Sequence, residues 1–112
     1  MKNILVMELI GKDQPALKLK DDIPKDLEKF HKKVKVYIKR FYKAGFVHGD
    51  LSEFNILNYD NNPVFIDLSH TTQIKNPGAD ELIERDIKNI CRFFNKHGLK
   101  LVYEKELKEI LS

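Results

Sequence analysis

Cysteine, long apolar runs and repeated segments are features that this 112-residue sequence largely lacks. Its single cysteine, Cys91, excludes an internal disulfide and favours a reducing compartment such as the cytoplasm. The longest apolar run, Ile4 to Met7, is far shorter than the roughly 20 residues that a membrane-spanning helix needs. No small-residue cleavage site of a secretory signal follows Lys2. These absences predict a cytoplasmic protein without a membrane partner.

The composition is that of an ordinary globular domain. Apolar residues make up 42% of the chain and charged residues 33%, and this length suits one domain with one hydrophobic core. Twenty basic and 17 acidic side chains give a formal net charge of +3. Such a mildly basic balance permits an acidic partner such as RNA but does not require one.

Hydrophobic periodicity predicts a first strand, a loop and a long helix. Residues 3–9 form a buried strand pattern that ends before Gly11, and residues 16–22 show no period. Pro24 can open a helix that runs to about Ala44, with Gly45 as its left-handed stop. The polar face of this helix carries Lys32, Lys33, Lys35, Lys39, Arg40 and Lys43. Such a face is either simply solvated or a contact surface for RNA, and both interpretations stay open.

The second half of the chain predicts a hairpin and two further helices. Residues 56–59 and 64–66 pair as strands around a turn at 60–63, and residues 68–75 look irregular. Asn76-Pro77 predicts a helix start, and the helix ends near His97-Gly98 with Cys91 on its apolar face. A last short helix covers 104–111, with Leu107, Ile110 and Leu111 facing inward.

The prediction of function depends on three polar residues that flank the predicted hairpin. Asp50 and Asn55 lie in one loop between apolar anchors, and Asp67 follows the second hairpin strand. Phosphoryl transfer uses one Asp to orient or deprotonate the attacking hydroxyl, and an Asn and a second Asp to hold Mg²⁺. Asp and Asn in loops more commonly cap backbone groups. The spacing and the hairpin, which would return Asp67 to the first pair, favour phosphoryl transfer.

The histidines offer no metal-ligand spacing. On this ground His31, His70 and His97 are interpreted as surface or capping residues.

These residues resemble a known family, the RIO atypical protein kinases, and within it the first, archaeal-like subfamily. The resemblance covers nearly the whole chain and is carried by His48-Gly49-Asp50-Leu51-Ser52-Glu53-Phe54-Asn55-Ile56-Leu57, Ile66-Asp67-Leu68-Ser69-His70, Asn76-Pro77 and Glu84-Arg85-Asp86-Ile87-Lys88-Asn89-Ile90. It implies an α+β fold, the C-terminal lobe of a protein-kinase-like domain, mainly helical with a small antiparallel β-hairpin carrying the metal site.

The resemblance also implies the role of each site residue. Asp50 would be the catalytic Asp, while Asn55 and Asp67 would hold Mg²⁺, with Mn²⁺ as an alternative. Asp67 is in addition a candidate acceptor of a transient aspartyl-phosphate. The ATP-binding residues would be Met7, Glu8, Ile10, Ser52, Leu57 and Ile66, with Ser52 at the position where ordinary protein kinases carry a lysine.

The resemblance also bears on three positions outside the predicted site. By the same resemblance, His48 would pack and hydrogen-bond structurally, and Asp86 would accept backbone N–H bonds from the catalytic loop. Position 70 is His where the family usually carries Gln, a departure that touches none of the predicted ligands.

We expect residues 1–112 to be part of a RIO kinase domain, a hinge strand plus the C-terminal lobe without the N-terminal lobe. The implied function is that of an ATP-dependent serine/threonine protein kinase or ATPase in maturation of the small ribosomal subunit, with low activity for this chain alone. One alternative is a non-catalytic module that binds RNA or the pre-ribosome. Another is a small-molecule phosphotransferase of the aminoglycoside-kinase type, whose large helical insertion has no room here.

Overall fold

The computed structural model describes residues 16–112, and the predicted first strand with Met7, Glu8 and Ile10 lies outside this range. Within these residues, three helices pack with two small antiparallel sheets. The helices are α1 (Leu27–Lys43), α2 (Ala79–Lys96) and α3 (Tyr103–Leu111). The strands are β1 (Leu17–Lys18), β2 (Phe46–Val47), β3 (Ile56–Tyr59), β4 (Asn62–Phe65) and β5 (Thr72–Gln73).

Helix α1 begins three residues later than the sequence predicts. The side chain of Asp26 accepts a hydrogen bond of 3.0 Å from the Lys29 N–H, so Asp26 is the N-cap and Pro24 lies before the helix. The predicted C-terminal stop is confirmed, because Gly45 has a φ of +97° just after the C-cap Ala44.

The predicted hairpin is confirmed, with a tighter turn than expected. Strands β3 and β4 pair in the register Ile56↔Phe65 to Tyr59↔Asn62, which leaves only Asp60 and Asn61 in the turn. These two residues have φ values of 50° and 64°, as a two-residue type I′ turn requires. On its other edge β3 pairs with β1, a strand in a stretch predicted as a loop.

A second pairing joins β2 to β5, with Phe46 opposite Gln73 and Val47 opposite Thr72. It lies in the stretch predicted to be irregular, where a single 3₁₀ turn, Leu68–His70, also forms. The pairing connects the chain just before Asp50 to the chain just after Asp67. This pairing therefore brings the segment that contains Asp50 close to the segment that contains Asp67.

Helix α2 starts at Ala79 and not at Asn76-Pro77, so that prediction is wrong. Gly78 is the N-cap, and Asn76 contributes only its backbone oxygen, which accepts from the Ala79 N–H at 3.0 Å. The predicted end is confirmed, with Gly98 at a φ of +115°.

The core lies between α1 and α2 and extends under the hairpin. Its buried side chains include Phe30, Val34, Ile38, Ile56, Phe65, Ile83, Ile87, Ile90 and Phe94. Cys91 is buried among them as predicted, and burial raises the pKa of its thiol to about 11. None of the helices within 16–112 is long and apolar enough to cross a membrane.

Helix α3 is fixed to α1 by a buried polar contact that the sequence analysis missed. His31, predicted to lie on the surface, is buried, and its Nε2 lies 2.7 Å from Oε1 of the buried Glu106. Lys35 donates to Oε2 of Glu106 at 3.3 Å and also to Glu109. The inward prediction holds for Ile110 and is wrong for Leu111, which is 38% exposed.

This contact predicts that stability depends on pH through His31. Burial lowers the pKa of His31 below its ordinary value, against the opposing effect of Glu106. As pH falls through the unfolded pKa of about 6.5, the unfolded chain takes up the proton first, so the folded state loses stability until His31 is also protonated in it. We expect the free energy of unfolding, measured by urea denaturation, to fall between pH 7 and pH 5, and to fall less in His31→Gln.

The matched control is His97→Gln, because His97 is an exposed histidine. This variant should keep the pH dependence of the unmodified chain. Equal slopes for all three proteins would contradict the role given to His31.

Candidate active site

Asp86 in helix α2 fixes the loop that contains Asp50. The carboxylate of Asp86 is buried and accepts the backbone N–H of Gly49 at 2.9 Å and that of Leu51 at 3.1 Å. Burial raises the pKa of Asp86, and the two N–H bonds act in the opposite direction by stabilising the charged form. The predicted contact from Asp86 to the loop is confirmed. It clamps the backbone on both sides of Asp50.

Two neighbours of Asp86 on the same helix complete this attachment. Arg85 donates to the carbonyl oxygen of Gly49 at 2.5 Å, and Asn89 donates to that of Leu51 at 3.2 Å. The N–H and C=O groups of both loop residues are therefore bonded to α2. The position of the Asp50 side chain is set by the helix and not by the loop alone.

Gly49 allows a second segment to pack directly on this loop. Its φ is +89°, and a Cβ atom at this position would lie 2.5 Å from the backbone oxygen of His70. Only glycine fits that conformation and that contact. The chain that follows Asp67 can therefore lie against the loop that carries Asp50.

His48 also bridges the two segments. Its Nε2 lies 2.8 Å from the carbonyl oxygen of Ile66, while its Nδ1 accepts from the Asp50 N–H at 3.2 Å. Both contacts are satisfied by the tautomer with a proton on Nε2. The ring is buried, and both ring nitrogens are engaged, so the predicted structural role of His48 is confirmed.

Asn55 lies beside Asp50. Its Nδ2 donates to the backbone oxygen of Asp50 at 2.5 Å and to the carboxylate Oδ2 at 3.3 Å. The backbone oxygen of Asn55 accepts from the Ile66 N–H at 2.9 Å, which ties it to the residue before Asp67. The amide and the two carboxylates therefore belong to one connected group.

Asp67 follows β4 in the left-handed region, with φ 58° and ψ 68°. This conformation is rare outside glycine, asparagine and aspartate, and it turns the chain sharply at the end of the hairpin. The Ser69 hydroxyl donates to Asp67 Oδ1 at 2.8 Å, and this bond lowers the pKa of Asp67. The exposed carboxylate is accordingly anionic at neutral pH.

Asp50, Asp67 and His70 converge at this point. One ligand atom from each residue lies within 4.8 Å of those of the other two. The Nδ1 of His70 is 4.0 Å from Oδ2 of Asp50. His70 is exposed, as predicted for a surface residue, but it lies beside Asp50 and Asp67. Spacing between histidines does not indicate this proximity, whereas the position of His70 three residues after Asp67 does.

Three of the remaining predicted site residues, Ser52, Leu57 and Ile66, lie in the same loop or in and next to the hairpin. The Ser52 hydroxyl accepts from the Phe54 N–H at 3.2 Å and so stabilises the loop from within. Leu57 and Ile66 are half-buried apolar residues in and next to the hairpin. Met7, Glu8 and Ile10 lie outside the range that the structure describes.

The donor set fits a hard divalent cation bound to a phosphate. Two anionic carboxylates and an amide offer oxygen ligands of the kind that Mg²⁺ prefers. Asp50 lies between Asn55 and the buried anchor Asp86, with its carboxylate about half exposed and able to accept a hydrogen bond from an incoming hydroxyl. The arrangement therefore suits transfer of a phosphoryl group.

The Asp86 contact gives a stability prediction. Asp86→Asn keeps the shape of the side chain but can accept only one of the two N–H bonds and removes the charge that strengthens both. We expect a loss of about 2–3 kcal/mol in the free energy of unfolding, measured by urea denaturation. Glu81→Gln removes an exposed carboxylate from the same helix and should cost less than about 1 kcal/mol. Equal losses in the two variants would contradict the anchoring role.

Comparison with known proteins places these features in a family. A model of the RIO domain matches residues 1–107. The chain is 45% identical over 105 residues to the RIO-type serine/threonine-protein kinase Rio1 of Methanocaldococcus jannaschii, covering 92% of this chain and 36% of that protein. It is 38% identical over 98 residues to the protein of the same name from Haloferax volcanii, covering 87% of this chain and 34% of that protein. The chain spans about a third of the length of these curated relatives.

The fold has a solved counterpart in the crystal structure of the Rio2 kinase–ADP/Mg²⁺–phosphoaspartate complex from Chaetomium thermophilum. The two align with a TM-score of 0.68 and 25% sequence identity, over 88% of this chain and 34% of that one. The predicted α+β, protein-kinase-like fold is confirmed. On the match to residues 1–107, this chain belongs to the RIO domain family.

Proposed function

We propose that this chain is the part of a RIO-type serine/threonine kinase or ATPase that carries the catalytic Asp and the metal ligands. The observation that carries the proposal is the convergence of Asp50 and Asp67, from separate segments, with ligand atoms within 4.8 Å. Asn55 donates to Asp50 from the same side. Family membership favours a protein kinase over a small-molecule phosphotransferase of the aminoglycoside-kinase type.

The residues divide the chemistry between them. Asp50 accepts a hydrogen bond from the attacking hydroxyl and orients it towards the γ-phosphorus of ATP. Asn55 and Asp67 would hold Mg²⁺ through oxygen atoms, and the cation, when bound, would neutralise charge on the phosphate oxygens. Leu57 and Ile66 would pack against the adenine ring. By the family resemblance, backbone groups of Glu8 and Ile10 would pair with adenine, and Met7 would be the gatekeeper residue.

Asp67 is also our candidate acceptor of the phosphoryl group. The related Rio2 complex from Chaetomium thermophilum contains a phosphoaspartate. In this step a carboxylate oxygen of Asp67 bonds to the γ-phosphorus while the bond from phosphorus to the β–γ bridging oxygen breaks, and ADP leaves. Water then hydrolyses the acyl phosphate and restores the carboxylate. The attack requires the anion, and the exposed Asp67 carboxylate, whose pKa the Ser69 hydroxyl lowers, is in that form at neutral pH.

The first test is calorimetric titration of the chain with ATP in the presence and absence of Mg²⁺. We expect weak, Mg²⁺-dependent binding, because the assigned residues contact the cation and one side of the nucleotide. Asp67→Asn should lower the affinity at least about tenfold, since it removes an anionic ligand. Asp60→Asn makes the same chemical change at the hairpin turn and should leave binding unchanged. Equal binding by all three proteins would contradict the assignment.

A second candidate function, RNA binding in maturation of the small ribosomal subunit in the cytoplasm, rests on helix α1. Two lysines of the predicted basic face are hydrogen-bonded to helix α3. Lys35 contacts the side chains of Glu106 and Glu109, and Lys39 donates to the backbone oxygen of Glu109.

Three other cations of this face, together with Lys29, border a groove of about 320 Å³ that is lined by Lys29, Lys32, Lys33, Val36, Tyr37, Arg40 and Asn62. The guanidinium of Arg40 lies 5.7 Å from the centre of the Tyr37 ring. Four cationic side chains with an apolar floor suit the phosphates and bases of a single RNA strand.

This groove gives a binding prediction. Lys29→Glu combined with Lys32→Glu should weaken binding of a single-stranded RNA more than tenfold in fluorescence anisotropy. It should also reduce the slope of log affinity against log salt by about 2, one for each lost phosphate contact. Lys75→Glu with Lys96→Glu changes the net charge equally outside the groove and should have a much smaller effect. Equal losses of RNA affinity in the two double variants would mean that net charge alone attracts the RNA, and would contradict the groove as the binding site.

A further inference from the structure

We propose that His70 is a third protein ligand of the divalent cation, beside Asn55 and Asp67, and that its imidazole makes this site favour first-row transition ions over Mg²⁺. The inference rests on the proposed function, since it concerns the same cation. It adds a nitrogen ligand to a site otherwise made of oxygen atoms, and it names the class of ion that this chain should prefer.

The distances allow an ion held by Asp67 to reach His70 as well. Ligand atoms on one octahedral ion with bonds of about 2.1 Å are separated by about 3 to 4 Å. Nδ1 of His70 is 4.0 Å from Oδ2 of Asp50, and one ligand atom from each of Asp50, Asp67 and His70 lies within 4.8 Å of the other two. Small rotations of the exposed Asp67 and His70 side chains are enough to bring both onto a common ion. The His70 side chain is 62% exposed, so the ring has room for such a rotation.

The backbone of His70 is held in place independently of any ion. Its carbonyl group packs against Cα of Gly49, at a distance that excludes any Cβ atom there. The same carbonyl accepts from the Thr72 hydroxyl at 3.0 Å, next to the pairing of β5 with β2. His70 is thus carried by a fixed backbone with a movable ring, which suits a metal ligand.

Ser69 connects the two candidate ligands. Its hydroxyl donates to Asp67 Oδ1 at 2.8 Å and lies 3.3 Å from Nδ1 of His70. Since the only hydroxyl proton is used on Asp67, Ser69 can act only as an acceptor towards His70. That longer contact is the one an ion at Nδ1 would replace, while the bond from Ser69 to Asp67 can persist.

The chemical consequence concerns which ion is bound. Imidazole nitrogen stabilises transition ions increasingly along the series from Mn²⁺ to Co²⁺, whereas Mg²⁺ prefers oxygen and gains little from it. A site with only the oxygen ligands of Asn55 and Asp67 would discriminate less among these ions. His70 should therefore act as a residue that sets metal specificity.

The experiment is calorimetric titration of the chain, without nucleotide, with Mg²⁺, Mn²⁺ and Co²⁺, for the unmodified protein, His70→Gln, Asp67→Asn and His97→Gln. We expect His70→Gln to leave Mg²⁺ affinity within twofold, to lower Mn²⁺ affinity severalfold and to lower Co²⁺ affinity at least about tenfold. The visible absorption of bound Co²⁺ should shift when the nitrogen ligand is lost. His97→Gln, the loss of an exposed histidine elsewhere, should change none of these.

Each other outcome overturns the proposal in a distinguishable way. Equal affinities for His70→Gln and the unmodified protein would mean that His70 is not a ligand. A uniform loss for all three ions would mean that it supports the site only structurally. In both cases Asp67→Asn would still lose metal, and the proposed function would stand. If Asp67→Asn retained full affinity for every ion, the metal assignment itself would fail.

Discussion

The rest of the site depends on one buried carboxylate. Asp86 accepts the N–H groups of Gly49 and Leu51, and these two bonds hold the loop on either side of Asp50. Burying a carboxylate is costly, and charge-assisted hydrogen bonds to backbone donors offset that cost. Helix α2 thereby transmits its rigidity to a loop that has little regular structure. Without this anchor the loop could adopt many conformations, and the position of Asp50 relative to Asn55 and Asp67 would not be fixed.

The second constraint is the close approach of two segments that are separate in the chain. Gly49 lies directly on the backbone of His70, and β2 pairs with β5 just beyond. Together they place two carboxylates, those of Asp50 and Asp67, near each other at the surface. Carboxylate oxygens are ligands of the kind that hard divalent cations take, which is the physical basis of the proposed metal site.

A separate polar network shapes the opposite side of the domain. His31, Lys35 and Glu106 fix α3 against α1 at buried or half-buried positions. This use of Lys35, with that of Lys39, removes two cations from the basic face of α1. Lys32, Lys33 and Arg40 of that face line one groove together with Val36 and Tyr37. Contacts with α3 therefore separate the basic residues that fix the helices from those that line the groove.

The sequence by itself determined the features of this protein that depend on local patterns and on short spacings between residues. The hairpin, the helix ends at Gly45 and Gly98, and the trio Asp50, Asn55 and Asp67 were all predictable, because turn chemistry, periodicity and motif spacing act over a few residues. Only the tertiary structure decided the burial of His31, the two-residue strands and the position of His70 beside Asp50. These features depend on contacts between segments that are far apart in the sequence, and such contacts produce no periodic pattern of apolar and polar residues. A strand of two residues is too short to have a period, and a polar side chain is buried only where a partner meets it.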